Sequence, residues 1–276
     1  MGEKFSVLMS LYKNEKPAYL AQALDSVISQ TVKPAEIVMV KDGSLTEELD
    51  KTLEKYCAKY PGLFKIVPFA QNRGLGLALR DGVVECSFEL IARMDTDDIC
   101  KPERFEKQLN YLEKHKDIAL LGTWIKEFST CPDKPDSVTN LPYDHSGILK
   151  FAKKRNPFRH MTVFYKKSAV LDSGNYRDFL WFEDYDLWVR ILQKGYKAAN
   201  LPDYLVNVRA DGDMFSRRGG LKYLKQDLLF QKFLYSIGYI SWANYTYNCL
   251  VRMVIRLMPN QIRTMFYKVV LREKKA

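Results

Sequence analysis

Apolar positions along the chain fall into short runs that alternate with periodic stretches. Residues 4–12, KFSVLMSLY, form an apolar run rich in β-formers and predict a buried strand. The next segment, 17–30, places Leu20, Leu24, Val27 and Ile28 on one helical face, opened by Pro17. The alternation then repeats. A strand and then a turn are predicted over 35–43. A helix follows over 46–60, with Leu49, Leu53 and Tyr56 on one side and acids in its first turn. Next come a strand at 64–69, a helix at 76–86 and a strand at 88–94. Phe105, Leu109 and Leu112, spaced i, i+4, i+7, mark a helix over 102–115, and 118–128 reads as a further strand.

This order predicts an α/β fold with a mostly parallel central sheet and helices on both faces. Residues 129–147 are polar and proline-rich, which predicts a long surface excursion. Ordered structure returns over 156–170 and 174–209. From about 219 the chain reads as helical, with Pro259 dividing the last stretch into two helices.

In parallel sheets ligands bind outside the carboxyl ends of the strands. Four polar segments fall at those ends: LYKNE, KDGS, QNRG and DTDD. The last holds Asp95, Asp97 and Asp98 within four positions. Like charges this close repel, and the cost grows away from bulk water. In an extended segment Asp95 and Asp97 point the same way. Such a pair can hold Mg²⁺ or Mn²⁺ while leaving positions for water and phosphate. Capping of the next helix would account for one of the three carboxylates.

Glu183, Asp184 and Asp186 open a helical pattern, where the macrodipole favours anions. They read either as caps or as the source of a general base. Asp42 and Gly43 read either as an ordinary turn or as a close backbone approach to a ligand. The glycines of 72–79 lack the third position of a dinucleotide fingerprint. Arg217 and Arg218, near glycines, read as a solvated loop or as one that closes on a diphosphate.

Composition refines this picture. With 276 residues and 47% apolar content the chain can bury a full core. Its five cysteines are scattered and read as free thiols, and three histidines make a zinc site improbable. No signal-peptide pattern occurs, and no run of eighteen uncharged apolar residues predicts a membrane span. The net charge of +10 is concentrated: from Arg209 onward stand 13 Lys/Arg against 4 Asp/Glu. A basic tail fits nucleic acid or an anionic membrane surface. Nucleic acid would demand basic and aromatic residues on the main domain as well, so no nucleic-acid partner is expected.

Taken together, SVLMSLYKNE, VKDGS, NRGLGLAL, ARMDTDDICKPERFEKQ, NPFRHMTVFYKKS and WFEDYDLWVRILQKG resemble, in order and spacing, the GT-A fold, family 2 inverting glycosyltransferases. The similarity spans roughly residues 4–210 and is greatest to bacterial enzymes of O-antigen, capsule and exopolysaccharide synthesis, including the amylovoran type. It implies a Rossmann-like GT-A domain over 1–210 and a basic helical extension over 211–276.

The resemblance also implies a nucleotide-sugar donor, by expectation a UDP-sugar such as UDP-galactose, and Mn²⁺ or Mg²⁺. Asp97 then contacts the metal, Asp95 the metal and the nucleotide, and Asp184 is the catalytic base. Asp42 recognises the base of the nucleotide. Ser10, Tyr12, Asn14, Glu15, Asn72, Arg93, Arg217 and Arg218 complete the donor-binding set. His160 and Glu183 are placed towards the acceptor. Lys41 stands where many members carry another aspartate, and Asp81 where asparagine is frequent, so the finer nucleotide contacts differ.

The implied acceptor is a polyprenyl-diphosphate-linked saccharide. The expected location is cytoplasmic, peripheral at the inner face of the plasma membrane. Within 248–272, apolar residues alternate with Arg252, Arg256 and Arg263, which predicts interfacial helices with their cations on anionic headgroups. Two rival readings are a sugar-phosphate nucleotidyltransferase, whose glycine-rich basic N-terminal signature is missing, and a non-catalytic nucleic-acid-binding protein.

Overall fold

The structure, a computed structural model, describes residues 3–210, 219–259 and 261–262. Among these the strands are β1 (Phe5–Leu11), β2 (Glu36–Lys41), β3 (Phe64–Pro68), β4 (Leu90–Arg93), β5 (Ile99–Cys100), β6 (Ile118–Phe128), β7 (Ser137–Thr139), β8 (Phe164–Lys166) and β9 (Lys197–Arg209). They form one sheet in the order β3-β2-β1-β4-β8-β6-β9-β5, with β7 beside β6. The ladders among β1, β2, β3 and β4 are parallel, as is the long β6–β9 ladder. Strand β8 runs antiparallel to both its neighbours.

The helices are α1 (Pro17–Ile28), α2 (Glu47–Lys59), α3 (Leu75–Glu85), α4 (Arg104–Lys114), α5 (His145–Phe151), α6 (Lys167–Asp172), α7 (Glu183–Gln193), α8 (Gly220–Ser236) and α9 (Trp242–Leu257). Strands β1, β2 and β4 are buried almost throughout, as a sheet covered on both faces requires. Leu20, Leu24, Leu49, Leu53 and Phe105, from α1, α2 and α4, cover one face. Ala78, Leu79, Val83, Leu187 and Trp188, from α3 and α7, cover the other. Helix α2 starts where the sequence places acids, and the Thr46 hydroxyl accepts from the Leu49 N–H at 3.3 Å.

Two expectations need correction. The excursion over 129–147 carries strand β7 and opens α5, whose Asp144 cap accepts from the Gly147 N–H at 3.0 Å. Strands of two or three residues are too short to show periodicity, and β5, β7 and β8 were missed for that reason. The second correction concerns the basic tail. Helices α8 and α9 pack against each other, and Arg252 and Arg256 point inward to one buried carboxylate, Asp227. Neither arginine is available to headgroups.

Helices α8 and α9 share a small core with α7, built from Phe182, Tyr185, Val189, Tyr223, Phe230 and Leu234. The rings of Phe182 and Phe230 stack at 4.9 Å. Helix α9 is tied to the end of α5 by Asn248 Nδ2, which donates to the Lys153 carbonyl at 2.9 Å, and by Arg252, which donates to that of Lys154 at 2.8 Å. Helix α9 ends two residues before Pro259. The second helix expected beyond the proline lies largely outside the described residues.

Gly76, in the first turn of α3, sets how closely this helix approaches the start of α7. A Cβ there would stand 2.4 Å from the Arg177 carbonyl oxygen and 3.1 Å from Glu183 Cβ. Gly76→Ala is therefore expected to destabilise the protein by about 2 kcal/mol, since backbone must move to relieve the overlap. Thermal denaturation would show a midpoint lowered by roughly 4–8 °C.

Candidate active site

Parallel pairing brings four strand ends to one edge. Leu11 lies beside Lys41, Lys41 beside Pro68, and Leu8 beside Arg93. The residues that follow therefore assemble together. After β2 comes Asp42, only 4% exposed. Its Oδ1 accepts from the Arg73 N–H at 2.7 Å, and its Oδ2 from the Gly74 N–H at 3.0 Å and Asn72 Nδ2 at 2.9 Å. Asp42 thus clamps the loop after β3 onto the turn after β2. Gly43, with φ +87°, permits this, because a Cβ would meet the Asn72 nitrogen at 2.6 Å. Asp42 and Asn72 were expected to face the nucleotide separately, and the structure joins them.

Near the end of β1, Ser10 is half-buried, while Tyr12 and Asn14 beyond the strand are exposed. Glu15 Oε2 accepts from the Thr96 hydroxyl at 2.9 Å, which ties the segment after β1 to the acidic segment after β4. Arg93, at the end of β4, is fully buried. It pairs with Asp95 and donates to the Met94 carbonyl, and its Nε has no hydrogen-bond partner. Behind it, the buried Arg104 donates to the Arg93 carbonyl at 2.8 Å. Arg93 was expected among donor contacts. Its burial makes it a support for Asp95 instead.

Asp98 is buried and does not cap α4. It accepts from the Arg209 N–H at 2.8 Å. Arg209, at the end of β9, also donates through Nε to the Asp97 carbonyl at 3.2 Å. Asp97 is left half-exposed at the rim. Burial and the charges of Asp95 and Glu15 push its carboxyl up to about 7. Asp98 is raised as well, by burial and then by Asp97 and Asp95.

The start of α7 faces this cluster. Glu183 is pushed up to about 8 by burial, by its neighbour Asp184 and by Asp95, with Arg93 opposing. Asp95 and Glu183 thus sense each other across one site, although 88 positions separate them in sequence. Asp184 Oδ2 accepts from Asn156 Nδ2 at 2.7 Å and its Oδ1 from the Tyr185 N–H at 2.6 Å. Asp186 serves another purpose. It is buried and paired with Arg177 and Arg190 at 2.5 and 2.6 Å, which locks the helix start.

His160 was placed towards the acceptor. The structure buries it among Tyr176 and Trp188, with Nε2 at 2.9 Å from the Tyr176 hydroxyl. Burial and the charge of Arg93 hold it well below the usual histidine range. It supports the site from beneath. Arg217 and Arg218 lie outside the described residues.

Oxygen donors alone line the rim, and they suit a hard divalent cation. The donor set fits the expected Mg²⁺ or Mn²⁺: the charges of Asp95 and Glu15 bear on Asp97 together with its burial. Among the described residues no three metal-ligating side chains cluster, so a cation here would need donor oxygens from a ligand as well.

The model of glycosyl transferase family 2 matches residues 6–174. The amylovoran biosynthesis glycosyltransferase AmsE of Erwinia amylovora is 40% identical over 264 residues, covering 96% of this chain and 98% of that one. This chain belongs to glycosyltransferase family 2.

A second relative, the UDP-Gal:alpha-D-GlcNAc-diphosphoundecaprenol beta-1,3-galactosyltransferase of Escherichia coli, is 35% identical over 98% of this chain and 97% of that one. Among solved structures, the mannosyltransferase PcManGT of Pyrobaculum calidifontis, in complex with GDP-Man and Mn²⁺, superposes with a TM-score of 0.65 at 14% identity, covering 95% of this chain and 72% of that one. TarS 1–349 of S. aureus, in complex with UDP-GlcNAc, superposes with a TM-score of 0.62 at 16% identity, covering 94% of this chain and 69% of that one. The fold is therefore GT-A and the protein a glycosyltransferase. The nucleotidyltransferase and nucleic-acid-binding readings are set aside.

Sequence reasoning missed three residues of this glycosyltransferase site. Thr96 bonds Glu15, Asn156 bonds Asp184, and Arg209 pins the acidic segment. Thr96 stood within DTDD and Asn156 opened NPFRH, but their partners lie 81 and 28 positions away.

The raised carboxyls make a pH prediction. A group whose folded value lies above its unfolded one contributes stability that is complete below the unfolded value and is lost as pH rises through the folded value. For Asp97, at about 7, and Glu183, at about 8, that loss runs from mildly acidic to mildly alkaline pH. In urea titrations of the ligand-free protein, Asp97→Asn/Glu183→Gln should therefore gain stability over wild type progressively from about pH 5 to about pH 8. Parallel profiles would show that neither group holds its proton.

Proposed function

We propose that this enzyme is an inverting, metal-dependent hexosyltransferase. It moves a sugar from a nucleotide-sugar, a UDP-hexose, onto a polyprenyl-diphosphate-linked saccharide at the cytoplasmic face of the membrane, where its C-terminal helices meet an anionic surface. The observation that carries this reading is the convergence of two acidic groups, Asp95 with Asp97 and Glu183 with Asp184, from the end of β4 and the start of α7. The name of the Escherichia coli relative, similar over nearly its whole length, supports a UDP-hexose and a lipid-diphosphate acceptor. The Mn²⁺ in the mannosyltransferase complex supports a divalent cation.

A cation held by Asp97 and Asp95 would supply positive charge to the donor diphosphate as it departs. The protein's own groups prepare the rest. Glu15 and Thr96 fix the acidic segment, and the loop clamped by Asp42 forms the nucleoside side of the site. Ser10, Tyr12 and Asn14 extend that side along the end of β1. Asp184 takes the proton from the acceptor hydroxyl as that oxygen attacks the anomeric carbon opposite the leaving group. One displacement inverts the configuration. Asn156 holds Asp184 in the attacking geometry, and Glu183 keeps its proton and so adds no second negative charge beside the base. Arg217 and Arg218 supply charge to the departing diphosphate. Alignment and charge stabilisation provide much of the acceleration.

The first experiment is donor hydrolysis across UDP-, GDP- and dTDP-sugars with Mn²⁺. One UDP-hexose should be hydrolysed slowly. Asp97→Ala should lose hydrolysis together with nucleotide affinity. Asp184→Asn should retain nucleotide affinity in calorimetry while transfer falls by about 10²–10⁴-fold. Metal-independent nucleotide binding would overturn the assignment of Asp95 and Asp97. Asn156→Ala is expected to lower kcat about tenfold with the donor KM unchanged, because it removes an orienting hydrogen bond and no donor contact. A change confined to KM would place Asn156 in donor binding instead.

A further inference from the structure

Helices α8 and α9 distribute polarity in reverse of an ordinary surface helix pair. Residues 220–259 contain one acidic residue, Asp227. It is buried, 1% exposed at the side chain, and paired with Arg252 and Arg256, each 13% exposed. The charges of α9 therefore lie inside the pair. Its outward face carries Tyr247, Leu250, Val254 and Leu257, spaced i, i+3, i+7, i+10 and each more than half exposed. Trp242, at the start of the helix, is 65% exposed.

Helix α8 also turns apolar residues outward. Leu221 is 75% exposed and Leu229 45%. Beside them stand Lys225 and Lys232, both exposed, and neither forms an ion pair with a described residue. These four residues, with Leu228 and Tyr245, line most of a groove of about 410 Å³. Apolar residues gathered along one helix face and around a groove mark an interaction site, whereas scattered ones need no explanation.

We propose that the outer face of α8 and α9 is a bilayer-docking surface. Its aliphatic and aromatic side chains enter the interfacial region, the groove takes an acyl chain, and Lys225 and Lys232 meet anionic headgroups. The occupant is an anionic lipid surface because the exposed charge on these helices is wholly positive: the one carboxylate they own is neutralised within. The chain beyond adds Arg263, Lys268, Arg272, Lys274 and Lys275 against Glu273 alone. This assignment rests on the membrane-borne acceptor proposed above and names the surface that meets the lipid. It differs from the expectation drawn from sequence, in which Arg252 and Arg256 were to face the headgroups.

The test is flotation of the full-length protein with vesicles of phosphatidylcholine alone or mixed with phosphatidylglycerol, beside donor hydrolysis in solution. Binding should require phosphatidylglycerol. Lys225→Glu/Lys232→Glu and Leu250→Glu/Val254→Glu should each weaken it at least about tenfold while leaving donor hydrolysis unchanged. In the wild type, lipids brominated in their acyl chains should quench fluorescence that the Trp242→Phe variant lacks. This readout needs no variant with altered charge.

Equal binding to both vesicle types, unaltered binding by both double variants, or no quenching attributable to Trp242 would overturn the proposal. So would a wild-type dimer that Leu250→Glu/Val254→Glu dissociates and that ignores vesicles, since a second copy would then cover this face. Loss of hydrolysis with every donor, with vesicle binding intact, would count against the catalytic reading and leave the docking surface standing.

Discussion

Arg93 has no accessible surface, yet it carries a full positive charge at the point where β4 stops. Burying a charge costs several kcal/mol unless partners surround it. Here Asp95 and the Met94 carbonyl accept from it, and Arg104 holds the Arg93 carbonyl from behind. Arg104 is itself buried against Gln108, Met94 and Cys100. Arg93 thus opposes the charge of Asp95, Asp98 and Glu183. Asp97 and Glu183 are nevertheless displaced upward, first by burial and then by neighbouring carboxylates.

The same edge is mechanically continuous. Asp42 grips the loop that begins α3, Gly76 in that helix touches Glu183, and Asp95 faces Glu183 electrostatically. The nucleoside side, the acidic segment and the start of α7 are therefore parts of one assembly. The Asp42 oxygens are engaged by Asn72, Arg73 and Gly74, so the turn after β2 and the start of α3 are held as one.

Long elements were legible in the sequence because each spans several periods. The alternation from 4 to 128 reproduces β1 through β6 apart from the two-residue β5. The acidic cluster was legible because strand ends in a parallel sheet share an edge. What could not be read depends on distant partners. Strand β8 enters between β4 and β6 after a long excursion, and three residues carry no period of their own. The Asp42 clamp joins residues 30 to 32 apart, with no local pattern to announce it. Arg252 and Arg256 mark a helical face from either side. Only Asp227, a helix away, decides that they turn inward.

Phe182 stacks on Phe230 immediately before Glu183 and Asp184. Helix α7, which bears Asp184, and helices α8 and α9, which bear the apolar outer face, thus share one packed body. With lipid against α9, as proposed above, that body would act as a ruler: α8 and α9 would set the height of Asp184 above the bilayer, and a lipid-linked acceptor would be gauged by how far its terminal hydroxyl stands from its own anchor.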